Sequence, residues 1–247
     1  MASFSSEPSE ISFETLSEVL LLKKVHWSWL LPPLKLYQEP EQKLLISALS
    51  PYAAKNLSKN LTLSSSSVDL SEIGRSFLKE ELMKALLQHR APILPLACLP
   101  ASPLNALLEL DKKQLTALID RLSLYDLALE LKQLVETKTL KKLYALLNSQ
   151  EKKILQEISG QKDLYFLGKI GLDRWDGTEE ALRTLLHKKG LSRLGAGISH
   201  QDPDLIWYVC HLLDIGRGTH LEKQCIKKTI APEVSEGIIQ QIESQLL

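Results

Sequence analysis

The chain has 247 residues, of which 44% are hydrophobic and 24% are charged, the composition of an ordinary soluble globular protein. Thirty basic residues balance thirty acidic ones, which argues against a general attraction to nucleic acid or to anionic membranes. The three cysteines, Cys98, Cys210 and Cys225, are widely spaced and fit a reducing cytoplasm better than a disulfide-bonded secreted fold.

The first ninety residues predict a small helical domain. Residues 1–10 are polar and lack the basic region of a secretory signal, and no apolar run approaches the roughly 20 residues that a membrane span needs. Apolar residues at helical spacing predict a helix over 12–24, a helical hairpin over 41–61 and a further helix over 71–89. We therefore expect a cytoplasmic protein that reaches a membrane only through a partner.

Two tryptophans, Trp27 and Trp29, stand just before the helix-breaking pair Pro32-Pro33. Tryptophan is enriched at binding hot spots, so these side chains are candidate anchors for a partner protein. The competing interpretation is that they cover the core of the first domain, since large aromatic side chains are mostly buried.

A proline-rich segment over 91–103 predicts the boundary between two domains. It contains Pro92, Pro95, Pro100 and Pro103, so it cannot be helical throughout. We expect a semi-rigid joint between an N-terminal domain, residues 1–90, and a C-terminal domain, residues 104–247.

The stretch 107–158 predicts four short helices in close succession. Its apolar residues recur in sets at helical spacing, and each set follows a capping residue: Asp111 (with Gln114), Ser123, Thr137 and Asn148 (with Glu151). Such helices are expected to pack as a compact right-angled stack. The stretch has no polar cluster suited to chemistry, which favours a scaffold over an enzyme.

The last third predicts further helices separated by glycine-rich turns. One helix is expected after Asp176 and Glu179 and should stop at Gly190, with a glycine-rich connection over 192–200. Asp202-Pro203 predicts the start of the next helix, which Gly216 and Gly218 should end. Closing helices are expected over 221–230 and 232–246. With no convincing strand, the predicted fold class is all-α, built from short helical hairpins.

Several segments resemble the FliG family of flagellar rotor proteins. In the armadillo-like part of that family a helix follows a Leu-Asp turn, as at Leu110-Asp111, and the hairpin over 45–57 resembles the family's middle domain. The remaining similar segments are residues 114–115, 118–119, 122–127, 129–132, 141–143 and 148–155. The resemblance covers about a third of the chain and implies an armadillo-like C-terminal part.

The chain departs from FliG in two respects. We find no charged torque helix in the last third, and the proline-rich segment 91–103 stands where FliG has a Gly-Gly hinge. The resemblance therefore implies the related SctK-type linker of type III secretion, which joins the inner-membrane ring to the cytoplasmic sorting platform. It implies an adaptor at the inner face of the inner membrane, with other proteins of the apparatus as partners and with no enzymatic activity, cofactor or small-molecule substrate.

Two clusters remain as candidates for chemistry. Cys210, His211, His220 and Cys225 have zinc-binding side chains, but their spacing matches no standard ligand motif. His200, Asp202 and Asp204 could form an acid–base site, although Asp202 is better explained as a helix cap. The alternatives to an adaptor are a helical nucleic-acid-binding protein and a helical enzyme with its site near His200 and Asp202.

Overall fold

The computed structural model describes residues 22, 24–64, 68–88, 90, 93–134, 136–161, 165–227 and 230–246. All regular secondary structure in these ranges is helical, which confirms the all-α fold class. The chain divides into two compact units, residues 1–99 and 100–247. The division falls inside the segment 91–103, whose role as a spacer stays a prediction. Most of the helix expected over 12–24 lies outside the described residues.

The first unit is a small helical cluster with its own core. Its predicted hairpin over 41–61 is present as two helices, and Ser50 caps the second of them. Leu34, Leu57 and Leu82 lie at the centre of the core, each at most 1% exposed. The described elements of this unit are the 3-10 turns Trp27–Leu30 and Leu96–Cys98 and the helices α1 (Leu31–Leu34), α2 (Glu39–Ser47), α3 (Pro51–Asn60) and α4 (Glu72–Leu86).

The second unit is built around two long helices. Helix α8 packs against α5, α10 and α11, and α5 also packs against α7 and α11. The described elements are the 3-10 helices Pro103–Glu109 and Leu172–Arg174 and the helices α5 (Lys112–Leu131), α6 (Thr137–Leu146), α7 (Ser149–Ser159), α8 (Glu179–Ile198), α9 (Pro203–Leu212), α10 (Ile215–Lys227) and α11 (Pro232–Leu246).

Helix α5 corrects one prediction. The expected break at Ser123 is absent, and 20 residues form one continuous helix. Ser123 is fully buried, and its hydroxyl donates a hydrogen bond to the Asp120 carbonyl within the helix. Because α5 is packed on several sides by α7, α8 and α11, its apolar residues cover several faces, and the sequence pattern resembled two helices. The expectation of only short hairpins is therefore wrong for this unit.

Helix α8 corrects a second prediction. Gly190 does not end the helix, which continues to Ile198 through the segment expected to be a glycine-rich connection. A Cβ at Gly190 would lie 1.9 Å from the Ile119 carbonyl oxygen, so this glycine permits α8 to cross α5 closely. Gly216 and Gly218 likewise lie inside α10 rather than at the end of α9.

Several predicted helix starts are confirmed. Asp111 with Gln114 and Asn148 with Glu151 form capping boxes at the starts of α5 and α7. Asp202 caps α9. These polar residues satisfy backbone N–H groups that have no partner within the helix. Among the described residues, no helix combines the length and the apolar composition required to cross a bilayer.

Candidate functional site

The suggested zinc ligands do not converge. Cys210 is buried in α9, and the Cys225 thiol lies on α10, where burial raises its pKa to about 12. His211 donates from Nδ1 to the Trp207 carbonyl, 2.8 Å away, and its ring stacks on the Trp207 ring with centroids 3.8 Å apart. In the ranges that the structure describes, no three His, Cys, Asp or Glu side chains are grouped closely enough to hold a metal ion.

His200 and Asp202 each make contacts that support the fold. His200 donates from Nε2 to the Ile230 carbonyl at 2.9 Å. The Asp202 carboxylate accepts a hydrogen bond from the Asp204 backbone N–H at 2.8 Å, as a helix cap does. Burial, and secondarily the charge of Asp204, raise the pKa of Tyr208 to about 12, so this phenol is protonated at neutral pH.

Trp27 and Trp29 are both half-buried in the first unit. Trp27 packs against the core of that unit, and its indole N–H is buried without a hydrogen-bond acceptor among the described residues. The His26 ring lies beside it, with centroids 5.1 Å apart. Part of the Trp27 surface therefore covers the core, and partner binding by either tryptophan stays a prediction.

The second unit carries an open polar groove of about 750 Å³ between α5, α7, α8 and α10. Four carboxylates line it together with cationic side chains and a histidine. The lining residues are Thr116, Asp120, Glu151, Glu179, Glu180, Arg183, Thr184, Leu186, His187, Lys188 and Arg217. We define this set as the polar groove and treat it as the candidate functional site.

His187 lies in the polar groove between the carboxylate of Asp120 and the guanidinium of Arg217. Its Nδ1 is 2.7 Å from an Asp120 carboxylate oxygen, and its Nε2 is 3.0 Å from Arg217 Nε. Because a guanidinium N–H can only donate, Nε2 must accept, and Nδ1–H must donate to Asp120. The Asp–His pair has the geometry that orients a catalytic base, but the nitrogen that would take a proton from a substrate is already bonded to Arg217.

Asp214 extends this chain of contacts to the start of α5. Its carboxylate accepts from Arg217 Nη1 at 2.6 Å and lies 3.3 Å from Lys112 Nζ. Burial by itself raises the pKa of Asp214, but the hydrogen bonds from the Arg217 backbone and guanidinium, with the charges of Arg217 and Lys112, lower it to about 2. Asp214 is therefore ionised at neutral pH.

Arg183 organises the other end of the polar groove. Its guanidinium bonds the Glu151 carboxylate and donates to the Leu146 carbonyl at 2.9 Å, and it lies 3.6 Å from Glu179. Burial lowers the pKa of Arg183, but the hydrogen bonds and charges of Glu151 and Glu179 outweigh burial and raise it. The side chain thus links α7 and α8, and both Nη1 and Nη2 donate a hydrogen bond within the protein.

A second polar cluster is buried at the junction of α5, α8 and α11. Arg193, which is fully buried, donates from Nε to Asp126 at 2.8 Å and also bonds Gln241. Lys189 Nζ lies 3.6 Å from the other Asp126 oxygen. The Tyr125 ring covers the Arg193 guanidinium at 5.4 Å. We call Asp126, Glu130, Lys189, Arg193 and Gln241 the buried network.

The buried network holds the irregular segment 165–172 against the helices. Glu130 accepts hydrogen bonds from the successive backbone N–H groups of Ile170, Gly171 and Leu172. Lys189 donates to the carbonyls of Leu167 and Gly168, and Arg193 donates to the carbonyl of Tyr165. Its charged groups thus satisfy main-chain polar groups that would otherwise be buried without partners, which is a structural role.

The chain matches no protein-family model, and no curated protein or solved structure shows significant similarity to it.

Neither the polar groove nor the buried network was predicted from the sequence. One pattern does point to the buried network: Asp126 and Glu130 lie four residues apart on α5, and Lys189 and Arg193 lie four residues apart on α8. Acidic and basic pairs at this spacing inside apolar helices indicate that two helices meet through complementary charges. No such periodic pattern marks the polar groove, because its residues come from four helices.

Proposed function

We propose that this chain is a non-enzymatic adaptor of the FliG-like, SctK-type class. It links a membrane-ring base to cytoplasmic components of a type III secretion or flagellar-type apparatus, at the inner face of the membrane and through protein partners. The proposal rests on the resemblance of residues 45–57 and of segments between 107 and 155. On this view the second unit is an armadillo-like scaffold, and the proline-rich segment 91–103 sets the spacing between two binding units.

An apolar strip on the surface of the first unit also supports the adaptor proposal. Ile73 and Phe77 lie one turn apart on α4 and are 84% and 58% exposed, while Leu78 and Leu82 on the same helix face the core. Residues at this spacing lie side by side on a helix, so the two exposed side chains form one apolar strip. Adjacent exposed apolar side chains are typical of surfaces that bind another protein.

The polar groove supports a binding role over the alternatives. Nη1 and Nη2 of Arg183, and Nε2 of His187, already make hydrogen bonds within the protein, which disfavours an enzyme that uses these atoms on a substrate. The four carboxylates of the polar groove outnumber its three permanently cationic side chains, Arg183, Lys188 and Arg217, and this balance disfavours binding to the many phosphates of nucleic acid there.

Co-purification with the full chain tests the proposal. Tagged wild-type protein is recovered from cells that assemble a type III apparatus, and co-purifying proteins are identified by mass spectrometry. We expect at least one membrane-ring protein and one cytoplasmic platform protein. The variant Ile73→Ser/Phe77→Ser should no longer co-purify with one of these two proteins. Its free energy of unfolding should equal that of wild type, because the two side chains are exposed.

The variant Ile226→Ser is the matched control. Ile226 is 78% exposed on α10 in the second unit, so its replacement removes a similar apolar side chain that is not part of the strip. Ile226→Ser should still co-purify with the protein that Ile73→Ser/Phe77→Ser no longer binds. Recovery of no apparatus proteins by the wild-type chain would contradict the adaptor function. Equal loss in both variants would contradict the assignment of the strip.

A further inference from the structure

His187 connects three helices of the second unit through hydrogen bonds. It belongs to α8, its Nδ1 faces Asp120 on α5, and its Nε2 faces Arg217 on α10. We propose that His187 is a proton-operated junction that, on protonation, gives up its hydrogen bond to α10 and strengthens its link to α5.

The Arg217 contact requires a neutral imidazole. Arginine remains protonated and its Nε–H can only donate, so the bond needs the lone pair of His187 Nε2. A proton on Nε2 would place two N–H donors and two positive charges face to face at 3.0 Å. The two groups must then separate.

The Asp120 contact responds in the opposite direction. Its carboxylate already accepts a hydrogen bond from Nδ1–H at 2.7 Å. When the imidazole becomes positive, the attraction between opposite charges adds to this hydrogen bond and strengthens it. Protonation therefore exchanges an α8–α10 contact for a stronger α8–α5 contact.

The surrounding charges keep the displaced arginine nearby. Asp214, in the turn before α10, still bonds Arg217 Nη1 at 2.6 Å and is also 3.3 Å from Lys112 at the start of α5. Arg217 can therefore turn away from His187 without leaving the polar groove. This makes the exchange reversible, because the guanidinium remains within reach when the imidazole loses its proton.

The other charged groups of the polar groove are disposed around this junction. On α8 itself, Arg183 is paired with Glu151 of α7 and with Glu179, while Lys188 and Glu180 are exposed. Histidine is the side chain whose ordinary chemistry changes charge between pH 5 and 8. A proton on His187 adds one positive charge to the polar groove, and it leaves Arg217 Nε–H available to an anionic group of a partner.

Nuclear magnetic resonance of the full chain tests the first step. At pH 8 the imidazole nitrogens of His187 should show a proton on Nδ1 and none on Nε2. At pH 5.5 both nitrogens should carry protons, and the resonance of Arg217 Nε–H should shift with the same midpoint. A proton on Nε2 at pH 8, or an imidazole still neutral at pH 5.5, would overturn the proposal.

A double-mutant cycle tests the exchange itself. Stabilities of wild type, His187→Ala, Arg217→Ala and the double variant are measured by urea unfolding at both pH values. The coupling between His187 and Arg217 should be favourable at pH 8 and absent or reversed at pH 5.5. The matching cycle for Arg217 and Asp214 is the control. It should show the same coupling at both pH values, because the pKa of Asp214 is about 2.

Each remaining outcome counts against the junction. A His187–Arg217 coupling that is equal at the two pH values, or absent at both, would overturn it. If the control coupling between Arg217 and Asp214 changed with pH as much as the His187–Arg217 coupling, the pH effect would come from the surrounding helices and not from His187. If a variant fails to fold, the resonance measurement on the unmodified chain still decides the question.

Discussion

The close crossing of α5 and α8 makes Gly190→Ala a sharp test of the fold. The added Cβ would lie 1.9 Å from the Ile119 carbonyl oxygen and 2.7 Å from the carbonyl carbon, both of which are backbone atoms. To reach an ordinary contact of about 3.4 Å, one helix must move by about 1.5 Å relative to the other. Such a shift disturbs fully buried neighbours, including Leu118 and Leu194.

The expected magnitude follows from two opposing terms. Overpacking a well-packed core costs about 1–3 kcal/mol, and the upper end applies here because a helix backbone must move. Alanine within a helix recovers about 1 kcal/mol relative to glycine. We therefore expect Gly190→Ala to lower the free energy of unfolding by about 2 kcal/mol, equivalent to about 4–8 °C in Tm.

Urea unfolding followed by circular dichroism measures this change. The matched control is Gly216→Ala in the first turn of α10, where the nearest atom to an added Cβ is an Asp214 side-chain oxygen at 3.4 Å. The control should be neutral or slightly stabilising. A Gly190→Ala protein as stable as wild type would refute the close crossing of α5 and α8.

Three further predictions concern the core, the buried network and the contacts of Asp214. Leu127 is fully buried and Leu131 is only half-buried. Thermal unfolding should therefore show that Leu127→Ala lowers the free energy of unfolding by about 2–5 kcal/mol and that Leu131→Ala lowers it less. Arg193→Leu leaves Asp126 buried without its main partner, so it should lower the free energy of unfolding by about 3–5 kcal/mol, as measured with urea. The double variant Asp126→Leu/Arg193→Leu should regain part of this free energy, because it leaves no unpaired charge at these two positions. Asp214→Asn removes a carboxylate whose pKa is lowered to about 2 on folding. The variant should therefore be less stable than wild type above about pH 4, and the difference should disappear towards pH 2. The free energy of unfolding measured as a function of pH tests this. An equal loss of stability in Leu127→Ala and Leu131→Ala would contradict the difference in their burial. An unchanged stability in Arg193→Leu would contradict the Arg193–Asp126 ion pair, and a pH-independent effect of Asp214→Asn would contradict the contacts that lower the pKa of Asp214.

The helical class and the starts of several helices could be predicted from the amino-acid sequence alone. Capping is a local interaction within about four residues, so Asp111 with Gln114 and Asn148 with Glu151 could be assigned without knowledge of neighbouring helices. The apolar spacing that predicts helices is equally local.

Which helices continue, and which polar residues come into contact, depends on tertiary packing. Gly190 and Ser123 have the local character of helix ends, yet both lie inside long helices, because packing between α5 and α8 outweighs weak local preferences. The polar groove depends on contacts such as His187 with Asp120, 67 residues apart, and Arg217 with His187, 30 residues apart. A local pattern cannot encode such pairs, since their proximity follows from how the helices cross.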